Sequence, residues 1–271
     1  MTVDKYSEII YHKGFERSSE YANGEYEMQE IGKDFMKLTR FQYLGKAPQT
    51  DGYPQPPLQK EPDDAIEIIE LPDPNTVHVR DIPLRRAIEH RTSVRSYSDK
   101  PLTLNELSYL LWCTQGVKET IENVVTFRTV PSAGARHALE TYLLINNVQG
   151  IEPGLYRFLA IGHKLLQLDI ETDMAKEITE ACLGQDFVKK SAVTFIWTAV
   201  AYRMKWRYGE RGYRYLHLDA GHACQNLYLS AEAIDCGVCA IAAFLDDDMN
   251  ELLDLDGEHE FVIYVATVGK K

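Results

Sequence analysis

Apolar residues recur along this chain at two periods, and the switches between them mark its elements. In TLNELSYLLWCTQGV, Leu104, Leu107, Leu110 and Leu111 share one face of a helix. Thr103 and Glu106 form a T-x-x-E capping box ahead of it, in which each side chain satisfies an orphan backbone N–H, and Gly116 closes it. Leu139 to Asn146, Gly154 to Phe158 and Lys164 to Leu168 are short apolar runs that predict strands, the last two joined through Gly162 as a hairpin. A short helix over Asp173 to Leu183 and a buried strand in SAVTFIWTAV follow. The longest helix is predicted from near Leu218 to Asp235. Ala220, Ala223, Cys224, Leu227, Ala231 and Ile234 make its apolar face, and Gly237 is placed as its stop. VCAIAAF and EFVIYVATVG predict strands around a short acidic helix in DDDMNELLDLDG. The order is mixed α+β.

Patterning is weaker before residue 84. Residues 1 to about 46 are rich in Tyr, Glu and Lys with little periodicity. The segment from Gly45 to Pro83 holds eight of the eleven prolines, which predicts an extended arm or linker instead of a core element. PLRRAIEHR resumes helical spacing, with Pro83 suited to a first helical position. The expected division is an N-terminal arm over 1–83 and one domain over 84–271.

Charge narrows the function classes. The net charge of −12 argues against a general binder of nucleic acid or anionic membrane, whose affinity would come from phosphate neutralisation. Any anion held here needs a local cluster of cations. The first ten residues, MTVDKYSEII, carry an acid and no apolar run, and Ala192 to Ala201 is too short to span a bilayer as a helix. Five cysteines, an odd number, suit a reducing compartment better than a disulfide framework. The expectation is a cytoplasmic protein without a membrane or nucleic-acid partner.

Five stretches could carry chemistry. In EHRTSVRSYSD, Arg91, Ser93 and Arg95 are spaced by two, so an extended segment points them to one side, where two guanidiniums and a hydroxyl can hold a phosphate. The alternative is a solvated basic turn paired with Glu89 and Asp99. VPSAGARH lets backbone N–H groups approach a flat or anionic ligand, or is an ordinary turn before a strand. His222 and Asp219, expected in the first turns of the long helix, cap or pair there; no H-E-x-x-H is present, so a metal is not expected. Cys236 and Cys239 form a C-x-x-C, but behind a helix C-terminus, where the dipole disfavours a thiolate; they are read as buried structural thiols. YRMKWRYGERGYRY interleaves bases with aromatics, as single-strand nucleic-acid binders do, or as a flexible lid over a planar anion does; the acidic bulk favours the lid.

Taken in order, R-x-S-x-R, PSAG, DAGHACQNLYLSAEA, AIAAF and the closing YVATVG resemble the FMN-dependent nitroreductase superfamily, and within it the SagB-type dehydrogenase branch, over about residues 84 to 269. The resemblance implies a nitroreductase-like fold, with a central, mainly antiparallel sheet flanked by helices, in an intertwined homodimer carrying FMN at the interface. On the same ground Arg91 and Ser93 would bind the phosphate and ribityl chain, and Arg95 the pyrimidine edge of the flavin, where a fixed cation stabilises the reduced ring. Pro131, Ser132, Ala133 and Gly134 would approach the flavin of the partner subunit. Ala240, Ile241, Ala242 and Ala243 would line the ring, with the Ala242 N–H toward N5, and Gln115 is a further flavin contact.

The implied activity is ping-pong hydride transfer between NADH, NADPH or another donor and a small organic acceptor. Two alternatives stand beside it: dehydrogenation of a peptide azoline or similar heterocycle, with Tyr208 handling the proton, and a non-catalytic flavin-binding partner subunit. The chain departs from the family's pattern in three places. Lys270 and Lys271 stand where many relatives continue with basic residues that complete the phosphate site. Arg136-His137 replaces the usual Leu-Tyr after PSAG, which predicts a more polar, cationic pocket. Arg207-Tyr208 replaces the Lys-Tyr of azoline-oxidising members, and arginine, unlike lysine, stays protonated.

Overall fold

The strand patterns pair into one seven-stranded sheet in the computed structural model, which describes residues 30–62, 67–170 and 173–271. The chain divides into two units at Gly45 and Lys46. The first contributes helix α1 (Ile31–Leu38) and a 3-10 turn at Phe41–Tyr43; every other described element lies in the second. In that unit β1 (Ile68–Glu70) precedes two helices, α2 (Leu84–His90) and α3 (Leu104–Gln115), and a separate hairpin of β2 (Val117–Ile121) and β3 (Val125–Arg128). Then come β4 (Leu139–Ile145), β5 (Gly154–Leu159), β6 (Lys164–Asp169), α4 (Met174–Ala181), α5 (Phe187–Lys190) and β7 (Val193–Val200). Helices α6 (Ala201–Tyr208) and α7 (Gly212–Ala231), strand β8 (Cys236–Ile241), helix α8 (Asp246–Leu252) and β9 (Glu260–Lys270) complete the fold. The sheet order is β1-β6-β5-β4-β7-β9-β8, and every neighbouring pair is antiparallel.

All seven residues of β4 are buried, so helices cover the sheet on both faces there. Alternation assigns the side chains. Leu143, Ile145, Phe195 and Trp197 join one core with Leu107, Leu111 of α3 and Leu227 of α7; Tyr142, Leu144 and Ile196 join the other with Ile178 of α4 and Met249 of α8. Strands buried on both faces are continuous apolar runs, which is why the sequence marked them so clearly. The Thr103–Glu106 capping box forms on α3, with both reciprocal bonds made.

Three local expectations are corrected, and one element is new. Helix α7 begins at Gly212, six residues ahead of Leu218, so Asp219 and His222 lie inside it and not in its first turns. Gly237 does not stop that helix. Asp235 does, in a left-handed conformation at φ 53°, while Gly237 sits within β8 because an added Cβ would meet Val94 at 2.6 Å. YRMKWRYGERGYRY is no loose lid: it forms α6, a turn and the start of α7, with Arg203, Met204 and Trp206 buried, and Gly209 makes the turn at φ 53°, ψ −145°. The β2–β3 hairpin was not foreseen, since β2 is mostly exposed and so carries no alternation for a core to impose.

The proline-rich segment is only partly the extended arm expected: residues 48–52 form a turn and Ile68–Glu70 joins the sheet as β1, while residues 56–62 run extended and are tied down as a strap. Trp206 Nε1 donates to the Tyr53 carbonyl and Arg203 Nε to that of Pro57, both at 2.8 Å. Arg128 and Arg157 donate to the carbonyls of Leu58 and Glu61. An extended proline-rich backbone has no internal partners, so buried guanidiniums from β3, β5 and α6 supply donors to it.

Candidate functional site

Helix α2 ends at Arg91, which turns the chain into extended backbone at φ −51°, ψ 123°. The strand-like segment that follows docks on β8: Val94 N donates to Val238 O at 2.9 Å, beside a parallel bridge from Ser93 to Val238. Farther on, Ser98 N donates to Lys270 O of β9. Glycines make both approaches possible, Gly237 under Val94 and Gly269 under Tyr97.

Arg91 and Ser93 then meet one side chain of α7. The Arg91 guanidinium lies 5.2 Å from the Tyr228 ring centroid, and Ser93 Oγ lies 3.0 Å from the Tyr228 hydroxyl, which also accepts the Ala240 N–H at 2.9 Å. Arg95 is exposed one pleat on, close enough to Cys239 to act on its thiol. The pairing expected of a solvated turn does not form. Glu89 binds Arg85 at 2.8 Å, and among the described residues neither Arg91 nor Arg95 has a carboxylate partner. Two unpaired guanidiniums beside a hydroxyl therefore stand at the surface of an acidic chain.

A second cluster forms around PSAG. Ser132 Oγ donates to Asp219 Oδ2 at 2.6 Å and accepts the His137 N–H at 2.9 Å, while the Ala133 N–H donates to Asp219 Oδ1 at 3.3 Å. Burial raises the Asp219 carboxyl above the usual carboxylate range against these bonds, which lower it. Gly134, at φ 57°, has no room for a side chain: an added Cβ would lie 2.5 Å from the Tyr208 hydroxyl and 2.9 Å from Arg207. Tyr208 in turn packs edge-on against Tyr215, ring centroids 4.9 Å apart. Pro131 and Gly134 are exposed, and Ser132 and Ala133 are half-buried.

Arg136 and His137 do not make this surface more cationic. Both are buried. Arg136 stacks over Trp206 and donates to Gly134 O; burial, helped by Arg128, pushes the His137 imidazole down to about 3, so it is neutral. Gln115 is buried too, with its side-chain carbonyl accepting Arg128 Nη1 at 3.1 Å. Ala240 and Ile241 end β8, and Ala242 and Ala243 lie exposed just beyond it. Lys270 is paired with Glu106 and Lys271 with Glu232. Cys236 and Cys239 are buried thiols raised by desolvation, Cys236 to about 12, which suits a structural role.

Sequence reasoning passed over Tyr228 and weighed Asp219 only as a cap or ion-pair partner. Both lie in the DAGHACQNLYLSAEA stretch that it singled out. The available signal was chemical: a tyrosine and an aspartate buried on a helix need partners, and here each finds one of the two motifs. A cavity of about 550 Å³ between the strap and the ends of β7 and β9, lined by Pro57, Lys60, Tyr202, Arg203 and Glu260 among others, shares none of these residues. Among the described residues no cluster of His, Cys, Asp and Glu could hold a metal ion, and no helix is long and apolar enough to cross a membrane.

Comparison with known proteins gives the family. The Nitroreductase family model matches residues 88–270. The "Putative nitroreductase MJ1384" of Methanocaldococcus jannaschii is 34% identical over 208 residues, 77% of this chain and 98% of that protein. The trifolitoxin-processing protein TfxB of Rhizobium leguminosarum bv. trifolii is 29% identical over 57% of this chain, which spans only 44% of TfxB. Among solved structures, a "putative nitroreductase" of Anabaena variabilis superposes with a TM-score of 0.63 at 30% identity, over 76% of this chain and 42% of that one. The Escherichia coli microcin synthetase McbBCD complex, at 19% identity and a TM-score of 0.56 over 89% and 92%, shares the fold. The chain belongs to the nitroreductase family and is an oxidoreductase of that type.

Proposed function

We propose that this protein is an FMN-dependent oxidoreductase that passes hydride between a nicotinamide or similar donor and a small organic acceptor, working as a homodimer. The observation that carries the reading is the pair of guanidiniums, Arg91 and Arg95, which flank Ser93 along extended backbone and have no carboxylate partner among the described residues, in a chain of net charge −12. Such a group fits a phosphate and the electron-rich edge of a flavin. Arg91 and Ser93 would hold the phosphate end, each charge-assisted bond contributing roughly 1.5–3 kcal/mol. Arg95 would hold the pyrimidine edge, and the exposed backbone at Ala242 and Ala243 would meet the ring. FMN supplies the hydride chemistry when bound.

The geometry of α7 supports the homodimer reading. Asp219 and Tyr228 are nine residues apart, half a turn out of phase and about 13 Å along the axis. The PSAG turn and the phosphate clamp thus hang on opposite faces of one helix, and two copies would bring one chain's turn to the other's clamp. Exposed Leu84, Ile88 and Leu218 are apolar surface for such a contact. In the assembled site, Ser132 is held by Asp219 and so presents backbone, not hydroxyl; Tyr208 Oη, next to Gly134, is positioned to hold or return a proton.

The test is an absorbance spectrum of the purified protein after FMN reconstitution, followed by stopped-flow mixing with NADH and NADPH. The expected result is bound flavin that one of them bleaches, with Arg91→Ala weakening FMN retention by roughly 10- to 100-fold, the worth of one charge-assisted bond. Absence of flavin binding overturns the reading. A second reading, dehydrogenation of a peptide heterocycle, is favoured by Tyr208 beside the PSAG turn and by the similarity to a trifolitoxin-processing protein. It requires turnover of a heterocyclised peptide; rapid NAD(P)H consumption with a nitroaromatic counts against it.

A further inference from the structure

We propose that Tyr228 is a positioning residue that sets Ser93 as a hydrogen-bond donor and thereby makes the site select a phosphate; this rests on the FMN reading above. The argument is one of proton accounting. The Ala240 N–H can only donate, and it lies 2.9 Å from the Tyr228 oxygen, so that oxygen accepts there. The phenol has one proton of its own. Its partner within reach is Ser93 Oγ at 3.0 Å, so Tyr228 donates to Ser93. The opposite arrangement, Ser93 donating to Tyr228, would leave a phenol proton without an acceptor on a side chain that is 8% exposed. Ser93 is therefore an acceptor toward the protein interior, and its own proton is turned outward, where Ser93 is exposed.

A hydroxyl fixed in this sense recognises a group that only accepts. An ionised phosphate is such a group; a ribityl hydroxyl, able to donate or accept, gains less from it. The Tyr228 ring has a second part in the same task, since Arg91 lies over it at 5.2 Å and is held there, among the described residues, without a carboxylate that would compete with the ligand. One α7 side chain thus ties the helix-ending arginine, the serine and the β8 backbone into a single phosphate-facing unit.

The test compares FMN with riboflavin, which lacks the phosphate, by flavin fluorescence titration of the full-length wild type, Tyr228→Phe, Ser93→Ala and the double variant. Phenylalanine keeps the ring under Arg91 and removes only the hydroxyl. The expected result is a wild-type preference for FMN that Tyr228→Phe reduces by about tenfold while riboflavin affinity moves less than about twofold. Ser93→Ala should do the same, and the double variant should lose no more than Ser93→Ala alone, because the two act through one proton. An unchanged FMN-to-riboflavin ratio in Tyr228→Phe overturns the inference and leaves the FMN reading standing, and so does an equal loss of both ligands, which is the mark of a structural role. A wild type that binds neither flavin overturns both.

Discussion

His137 shows how far a side chain's chemistry depends on where the fold puts it. Its imidazole is buried, beside Arg128 and Arg136, and its pKa falls from 6.5 to about 3, chiefly through desolvation and then through those cations; a bond to the Thr126 backbone opposes the shift. The folded state therefore stays unprotonated where the unfolded chain takes up a proton. The stability tied to His137 is fully present above about pH 6.5 and is lost as pH falls from there toward 3, at up to about 1.4 kcal/mol per pH unit. Asparagine tolerates the left-handed φ of 43° at this position. His137→Asn should flatten the wild type's loss of stability between pH 6.5 and 4.5 by on the order of 2 kcal/mol, measured by urea titration at each pH; parallel curves would remove the effect. A second residue-scale expectation concerns Glu140, which binds Arg203 at 2.6 Å with both side chains only 4% exposed. Glu140→Ala leaves Arg203 and the neighbouring Arg128 buried without their carboxylate, and should cost about 3–5 kcal/mol in a denaturant melt. At this scale the sequence was half legible. Spacing by two placed Arg91 and Ser93 on a common target, because extended backbone alternates; the inward turn of Arg136-His137 depends on tertiary burial that no local pattern records.

The elements were the most legible scale, and the exceptions share a cause. β4 and β7 are apolar runs because both of their faces are covered, and α3 announced itself by its cap. Gly237 was misplaced because a glycine after a helix is by default its stop. Its use is instead steric: it lets the Ser93–Val94 backbone lie on the edge of β8, with Gly269 doing the same under Tyr97. Gly237→Val is then expected to push that segment off the strand while the sheet, whose pairing with β9 runs through Gly269, remains. Far-UV circular dichroism should be preserved and FMN affinity should fall at least tenfold; a variant that keeps wild-type affinity would show that the clamp does not depend on this docking. Gly134→Ala acts on the other cluster. It places a Cβ 2.5 Å from the Tyr208 hydroxyl at a left-handed φ, a backbone cost of about 1–2 kcal/mol before any displacement of Tyr208.

Across the whole unit, the strap decides whether the buried guanidiniums are tolerable. Arg128, Arg157 and Arg203 are each about 95% buried, and among the described residues the one ion pair they form is Arg203 with Glu140. Burial lowers the Arg128 guanidinium to about 10, the sign of a cation short of solvation. The carbonyls of Pro57, Leu58, Lys60 and Glu61 supply part of the missing acceptors, with Arg157 Nε and Arg203 Nη1 still unpaired, so residues 56–62 act as partial solvent for these buried cations. Prolines suit this work, since an extended backbone without its own hydrogen bonds leaves its carbonyls free to accept. The sequence signalled the extension but not the docking, because the acceptors are main-chain atoms that carry no residue identity. A chain beginning at Lys46 retains the second unit with its strap and should melt within a few degrees of the full-length protein. A chain beginning at Asp63 removes these acceptors from three buried cations, each desolvated polar group costing about 1–3 kcal/mol, a total comparable to the 5–15 kcal/mol that holds a domain together. It should lose its cooperative calorimetric transition. If it instead melts cooperatively near the full-length temperature, water satisfies those arginines as well as the strap does, and the strap is a passenger on the fold.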